Sequence, residues 1–217
     1  MVKEGIAVVL DGIIVRSLKI KLGSPEGIEA DKAMFQQVLE STRKYDVKIR
    51  VDANGGWDVG AAKQMMQWLA DRKVDYIEQP LKEGEEDRLK ELYENRPLPI
   101  YLDESCRFSE NIPGFAAHVD GVNMKLMKCG GITEALRIIS TARAHGLKTM
   151  IGCMSESSVA IAAAAALTGG IDHIDLDSHY NLAPDPSQGA PMVDGVTLPL
   201  GIPGHGAELK KEFYVRS

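Results

Sequence analysis

Three carboxylates and two lysines each close a short apolar segment and are followed by loop-forming residues. In chain order they are Lys21, Asp52, Glu78, Asp103 and Lys125. A run of Val, Ile or Leu that ends in this way is typical of a strand entering a loop. Because carboxylate oxygens are ligands that Mg²⁺ prefers, the three acids suit a divalent cation. The two lysines suit acid/base work on an anionic substrate.

Each of these acids, taken alone, is also consistent with a helix cap or a loop carboxylate. Asp52, Glu78 and Asp103 turned towards one pocket would repel one another strongly unless a cation neutralised them. Oxygen donors without paired His or Cys indicate Mg²⁺, with Mn²⁺ as a substitute, rather than Zn²⁺. The five histidines are scattered along the chain, and we expect them to cap, pack or face solvent.

The elements that must position these groups alternate along the chain. Strands are predicted at residues 18–21, 48–52, 76–78, 100–103, 121–125, 149–153 and 173–176. Helices are predicted at residues 29–45, 59–72, 85–95, 109–118, 133–145 and 157–168, with Asp58 and Thr133 as caps of two of them. Serial βα units form parallel sheets through right-handed crossovers, and seven in a row favour a closed barrel. Active residues of such barrels lie at the C-terminal ends of the strands.

The segment before Lys21 is too short for a strand, a crossover helix and another strand. We therefore interpret residues 1–17 as a remnant of the first barrel unit or an N-terminal extension. Residues 18–206 are interpreted as the barrel and residues 207–217 as a C-terminal tail.

Composition excludes several classes of protein. The 217 residues are 44% hydrophobic and 26% charged, which is ordinary for a folded domain with a sizeable core. The formal charge of −6 with interspersed acids and bases argues against nucleic-acid binding. The longest apolar run, residues 159–167, is too short for a membrane span. Three cysteines, an odd number, indicate reduced thiols of a cytoplasmic protein.

The motifs KIKLG, RVDANGGW, IEQP, LDES and NMKLMKCGG occur in this order. Together they resemble the catalytic barrel of the enolase superfamily, in its muconate-lactonizing subgroup, over roughly residues 18–206. The resemblance implies an α/β, TIM-barrel-like fold. Members carry an N-terminal capping domain that closes over the barrel mouth. We interpret this sequence as lacking that domain and the first βα unit.

The same resemblance implies roles for the charged residues. It implies that Asp52, Glu78 and Asp103 bind Mg²⁺, that Lys21 and Lys125 form an acid/base pair, and that Lys19 assists near the substrate carboxylate. The residues themselves agree, since Lys19 and Lys21 alternate with Ile20 and so share one face of a strand. Lys128 lies nearer the Cys129-Gly130-Gly131 turn than Lys125 does, and we expect it to have a structural role.

Within that subgroup, the sequence most resembles the dipeptide epimerases, because of the pair of aspartates in HIDLDSH. The resemblance implies that Asp175 and Asp177 hold the free amino group of a dipeptide. On a strand they would share one face, with Leu176 opposite, although a pair of solvated loop acids is the simpler alternative. The loop after the strand at 149–153 adds Cys153, Met154 and Glu156 as candidate substrate-binding residues, with Glu156 orienting a lysine or the substrate.

The function predicted from the sequence is therefore a Mg²⁺-dependent dipeptide epimerase. It would act by 1,1-proton transfer through an enediolate, with L-Ala-D/L-Glu as the default substrate by resemblance. Three alternatives stay open: an o-succinylbenzoate synthase or N-acylamino acid racemase, a muconate cycloisomerase, and a truncated barrel with little activity of its own. The expected partner is a small dipeptide, without nucleic acid or membrane, and homo-oligomer formation is left open.

Overall fold

The computed structural model describes residues 15–214 and divides the chain into two compact units. The first unit contains residues 15–105 and Pro113–Gly121, and the second contains Cys106–Ile112 and residues 122–214. Predictions for residues 1–14 and 215–217 lie outside the described part. Within residues 15–214, no helix combines the length and the apolar composition that crossing a bilayer requires.

Four parallel strands follow one another in the first unit. They are β1 (Ser17–Lys21), β2 (Lys48–Asp52), β3 (Ile77–Glu78) and β4 (Ile100–Leu102). Their register places Lys21 opposite Asp52, and Asp52 opposite Glu78. Because cross-strand partners point to the same face of a sheet, this register brings three of the predicted site residues into one row.

The crossover helices of the first unit cover these strands with apolar side chains. They are α1 (Ile28–Thr42), α2 (Val59–Ala70) and α3 (Leu89–Tyr93), the last preceded by a 3₁₀ turn at Glu86–Arg88. Helix α2 begins where the sequence predicts, because the Asp58 carboxylate accepts a hydrogen bond of 2.8 Å from the Ala61 N–H. Met65, Met66 and Leu69 line its buried face, at the spacing expected of an amphipathic helix.

The helix predicted over residues 109–118 is wrong as a single element. The chain instead forms a 3₁₀ turn at Ser109–Asn111, a short helix α4 (Ile112–Phe115) and a second 3₁₀ turn at Ala116–His118. Gly114 lies in the middle of this segment and is a poor helix former. The local preference is therefore too weak for one continuous helix.

The second unit continues the alternation of strands and helices. Its strands are β5 (Gly121–Met124), β6 (Lys148–Ile151) and β7 (His173–Ile174), and its helices are α5 (Leu126–Cys129), α6 (Ile132–Ala144) and α7 (Ser158–Ala165). The predicted Thr133 cap is wrong. Gly131 occupies the N-cap position of α6, directly after Gly130 has ended α5 in the left-handed conformation. Two adjacent glycines thus turn the chain from one helix into the next.

Two small antiparallel ribbons near the C-terminus have no counterpart in the sequence prediction. Strand β8 (Ser187–Gln188) pairs with β11 (Glu208–Leu209), and β9 (Met192–Val193) pairs with β10 (Val196–Thr197). Asp185, just before β8, accepts hydrogen bonds from the N–H and hydroxyl groups of both Ser158 and Ser187. Partial burial opposes ionisation of this carboxyl, but those bonds dominate and lower its pKa to about 2. The segment is thereby attached to the start of α7.

Candidate functional site

The three predicted acids form one buried cluster in the first unit. Asp52 ends β2, Glu78 ends β3 and Asp103 follows β4. One ligand atom from each lies within 4.8 Å of the others, and the three residues are 0%, 0% and 1% exposed. Three carboxylates that lie this close together and away from solvent repel one another, so a bound cation would stabilise them strongly.

Two lysines from β1 meet this cluster. The Lys19 ammonium lies 3.2 Å from Glu78 Oε2, and the Lys21 ammonium is paired with Asp52 Oδ2. Both ammonium groups therefore lie on the face predicted from the alternation of the strand. The Lys19 side chain is 12% exposed and that of Lys21 is 55% exposed. Lys21 is thus the lysine of this pair with more access to an incoming molecule.

An asparagine that the sequence analysis does not single out orients Asp52, the first acid of the cluster. The Asn54 N–H donates to Asp52 Oδ1 at 2.9 Å, and its side-chain amide lies 3.2 Å from Asp52 Oδ2 and from Glu104 Oε1. Asn54 has a φ of +47°, which Asn tolerates better than most residues. Its position two residues after the acid, in a DxN turn, is the signal that could have identified it.

The donor set fits a hard divalent cation. All three donors are carboxylates, as Mg²⁺ and related ions prefer. A fourth carboxylate, Glu104, follows Asp103 directly, and its Oε2 atom is buried without a hydrogen-bond partner among the described residues. A buried carboxylate oxygen of this kind is uncommon, and it adds negative potential next to the cluster. The first unit therefore has the chemistry of a metal site.

A buried aspartate outside the predicted set ties together two of the loops that follow these strands. The Asp31 carboxylate in α1 accepts bonds from Gly23 N–H (3.1 Å), Ser24 N–H (2.9 Å) and the Trp57 indole N–H (2.8 Å). Gly23 has a φ of +87°, and a Cβ there would lie 2.2 Å from Ala53 O. Only glycine permits this close approach, which fixes the loop after Lys21 against the loop after Asp52.

Lys125 is a buried lysine of the second unit. It directly follows β5 and is 5% exposed. A Cβ on Gly152 would lie 3.2 Å from Lys125 Cε and 2.9 Å from the Asn123 amide, so the glycine leaves room for both side chains. Lys128 instead donates to the Asn123 backbone oxygen at 2.9 Å. Lys128 thus braces the backbone of β5, while Lys125 lies directly after the end of that strand.

The loop after β6 carries three candidate substrate-binding residues. Burial raises the pKa of the Cys153 thiol, so this group stays protonated, and it donates to the Asp175 carbonyl at 3.3 Å. Met154 is exposed, while Glu156 is buried and accepts a 2.7 Å bond from the Met154 N–H. Glu156 therefore braces its own loop. Its predicted role in orienting a lysine or the substrate stays a prediction.

Asp175 and Asp177 lie just beyond β7 rather than within it, because the strand ends at Ile174. Leu176 between them is buried at 3% exposure, as the alternation predicts. Asp177 Oδ1 lies 3.9 Å from the Cys153 sulfur. The Thr197 hydroxyl of β10 donates to the Leu176 carbonyl at 2.6 Å, so one of the unpredicted ribbons braces this segment.

These observations define an α/β protein of serial parallel βα units with a candidate divalent-cation site at its strand ends. A family model described as "Enolase C-terminal domain-like" matches residues 2–213. The chain belongs to this family. The prediction of an α/β fold of the enolase superfamily is thereby confirmed. The predicted resemblance to dipeptide epimerases is confirmed by the relatives of the chain.

Known proteins similar to the chain include several epimerases. A hydrophobic dipeptide epimerase of Flavobacteria bacterium (strain MS024-2A) is 80% identical over 99% of this chain and 61% of that protein. The dipeptide epimerase of Enterococcus faecalis V583 complexed with Mg and L-Leu-L-Tyr is 36% identical, with a TM-score of 0.78 over 86% of this chain and 53% of that one. That of Cytophaga hutchinsonii complexed with Mg and D-Ala-L-Val is 26% identical, with a TM-score of 0.85 over 95% and 57%. The chain thus spans roughly half to three fifths of each of these relatives.

Proposed function

We propose that the protein is a Mg²⁺-dependent epimerase of hydrophobic dipeptides. The observation that carries the proposal is the buried cluster of Asp52, Glu78 and Asp103 with Lys19 and Lys21 paired to it. The relatives whose names or complexes include Mg and dipeptides support the same activity.

The residues that would hold the cation are the three clustered carboxylates, with Mn²⁺ as a substitute for Mg²⁺. A cation bound there would attract the carboxylate of the substrate and offset the negative charge that develops when the neighbouring α-proton leaves. The Lys19 ammonium lies beside Glu78. This position supports the proposed role of Lys19 near the same substrate carboxylate.

Lys21 and Lys125 are the residues proposed to move the proton. One amine removes the α-proton of the C-terminal residue of the dipeptide, and the other ammonium returns a proton to the opposite face of that carbon. Transfer between opposite faces inverts the centre, which is a 1,1-proton transfer. The strand-end position of both lysines, each within a βα unit, supports this assignment.

Asp175 and Asp177 are proposed to bind the ammonium group of the dipeptide. Two carboxylates two residues apart complement that charge. The Cys153 thiol and the Thr197 hydroxyl both donate to backbone carbonyls of this segment, which supports a fixed orientation. Cys153, Met154 and Glu156 are proposed as further contacts of the substrate.

The proposed substrate carries apolar side chains rather than glutamate. The relative at 80% identity is named a hydrophobic dipeptide epimerase, whereas an L-Ala-D/L-Glu epimerase of Bacteroides thetaiotaomicron is 35% identical. The dipeptides in the two solved complexes, L-Leu-L-Tyr and D-Ala-L-Val, end in uncharged residues, one aromatic and one aliphatic. The proposal places the enzyme in the cytoplasm, where its three cysteines, which form no disulfide in the described residues, would stay reduced.

A substitution at Asp177 tests the dipeptide assignment. Asp177→Asn is expected to lower kcat/KM for a free dipeptide such as L-Ala-L-Leu roughly 10–150-fold, which corresponds to about 1.5–3 kcal/mol for the loss of a charged hydrogen bond to the ammonium group. N-acetylation of the dipeptide removes the same charge. It should therefore reduce the activity of the unsubstituted protein far more than that of the variant, in rates measured by chiral chromatography.

Asp194→Asn provides the matched control, because Asp194 is an exposed turn residue of the same unit. It should retain the preference for the free dipeptide. Equal rates of the unsubstituted protein on free and N-acetylated dipeptides would remove the case for dipeptides and favour N-acylamino acids.

A further inference from the structure

Gln79 is a buried residue that contacts the loops of all three acids in the cluster. It directly follows Glu78, is 1% exposed and has a φ of +39°, which is uncommon for a residue with a side chain. Its N–H donates to the Tyr101 carbonyl of β4 at 2.8 Å. Its carbonyl accepts a bond of 2.8 Å from the Gly55 N–H, in the loop after Asp52. The backbone of Gln79 thus connects β3 with both neighbours.

The side-chain amide of Gln79 binds the loop that carries the third acid. Its Oε1 accepts from the Asp103 N–H at 3.0 Å and from the Ser105 N–H at 3.3 Å. Its Nε2 donates to the Leu81 carbonyl and to Ser105 Oγ, both at 2.8 Å. Both donor hydrogens and the acceptor oxygen are therefore used, which is the full capacity of a buried amide of this kind.

A carboxylate further out determines the direction of these bonds. Glu86 Oε1 lies 2.6 Å from Ser105 Oγ. Partial burial opposes ionisation, yet the bonds from the Ser105 hydroxyl and the Gly84 N–H lower the pKa of Glu86 below its ordinary value. An ionised carboxylate only accepts, so the Ser105 hydroxyl must donate to it and accept from Gln79 Nε2. The amide oxygen of Gln79 is then the atom that faces the Asp103 N–H.

We propose that Gln79, oriented by Ser105 and Glu86, is a positioning residue that sets the spacing of Glu78 and Asp103 for a divalent cation. The inference rests on the proposed metal site. A residue that is adjacent to one acid, and that holds the backbone N–H of another through its own side chain, couples the two positions rigidly. Substitution of a residue that orients metal ligands typically weakens the affinity for the metal 10–100-fold.

The test compares metal affinity with basal stability. Gln79→Met keeps the length of the side chain and removes every amide bond. The apparent Kd for Mg²⁺, from the melting temperature measured against MgCl₂ concentration, should rise roughly 10–100-fold. Ser105→Ala is a milder variant that keeps the Gln79 bonds to Asp103 and Leu81, and a smaller rise in Kd is expected. Gln67→Met, in which the amide lost is exposed and bonds Asp71, should leave the Kd unchanged.

The outcomes separate this inference from the proposed function. If both variants melt at a lower temperature without Mg²⁺ but bind it as tightly as the unsubstituted protein, Gln79 is only structural and the inference is overturned. If the unsubstituted protein itself shows no response to Mg²⁺, the proposed metal site fails and this inference fails with it. A raised Kd in the Gln79 and Ser105 variants, with the Gln67 control unchanged, supports the inference.

Discussion

Alanine in place of Lys21 or of Lys125 is expected to abolish net epimerisation. Each lysine handles the proton on one face of the substrate carbon, so removal of either should lower the rate of inversion roughly 10²–10⁴-fold, the usual contribution of an acid/base group. Rates are to be followed in both directions from single diastereomers by chiral chromatography. In D₂O, each variant should keep exchange of the α-proton in one epimer only, because the remaining lysine still reaches one face of the carbon.

Lys148→Ala serves as the control for both substitutions, because Lys148 is an exposed lysine at the start of β6. It should epimerise at the rate of the unsubstituted protein. Near-normal inversion by Lys21→Ala or Lys125→Ala would show that the reaction does not need one lysine on each face of the substrate carbon.

Asp103→Asn is expected to remove most of the stabilisation that Mg²⁺ provides. A ligand that binds only the folded state adds about 2.7 kcal/mol when present at 100 times its Kd. For a chain of this size that corresponds to a rise in melting temperature of roughly 5–10 °C. The variant replaces one of three buried carboxylates by a neutral amide, which weakens a Mg²⁺ site because the ion prefers charged oxygen donors. Differential scanning fluorimetry with and without MgCl₂ measures the effect.

Asp58→Asn makes the same chemical change at the N-cap of α2, where Asn caps as well as Asp. Its response to Mg²⁺ should match that of the unsubstituted protein. A full Mg²⁺ response in Asp103→Asn would exclude Asp103 from the metal site.

Much of the fold could be predicted because strand ends and loop starts leave local signals. The sequence places β1, β2 and β5 within one residue of their observed bounds. The Asp58 cap was predicted because a capping side chain bonds an N–H only three residues away. The start of α6 is harder to predict. Threonine is a more frequent N-cap than glycine, which favours Thr133 from the sequence. The helix nevertheless begins at Ile132, with Gly131 at the N-cap position.

Several remaining features depend on bonds between residues that are distant in sequence, such as the pairing of β8 with β11. The β9–β10 ribbon is instead a local hairpin, and its Asp194-Gly195 turn, with a positive φ at both residues, is the sequence signal that could have identified it. The cluster of acids is an exception. It is predictable because each acid ends or directly follows its own strand. The contacts of Gln79 with Asp103 and Ser105 join loops 24 and 26 residues apart. No local pattern specifies which backbone N–H a glutamine will meet.

Proton exchange in D₂O tests the proposed activity most directly. The protein is to be incubated with L-Ala-L-Leu and MgCl₂ and followed by ¹H NMR. The proposal predicts that the α-proton signal of the C-terminal leucine disappears while signals of the L-Ala-D-Leu diastereomer grow in. The alanine α-proton should stay, and EDTA should stop the exchange. Retention of the leucine α-proton in the presence of Mg²⁺, or its loss without any second diastereomer, would contradict the proposal that this chain epimerises dipeptides.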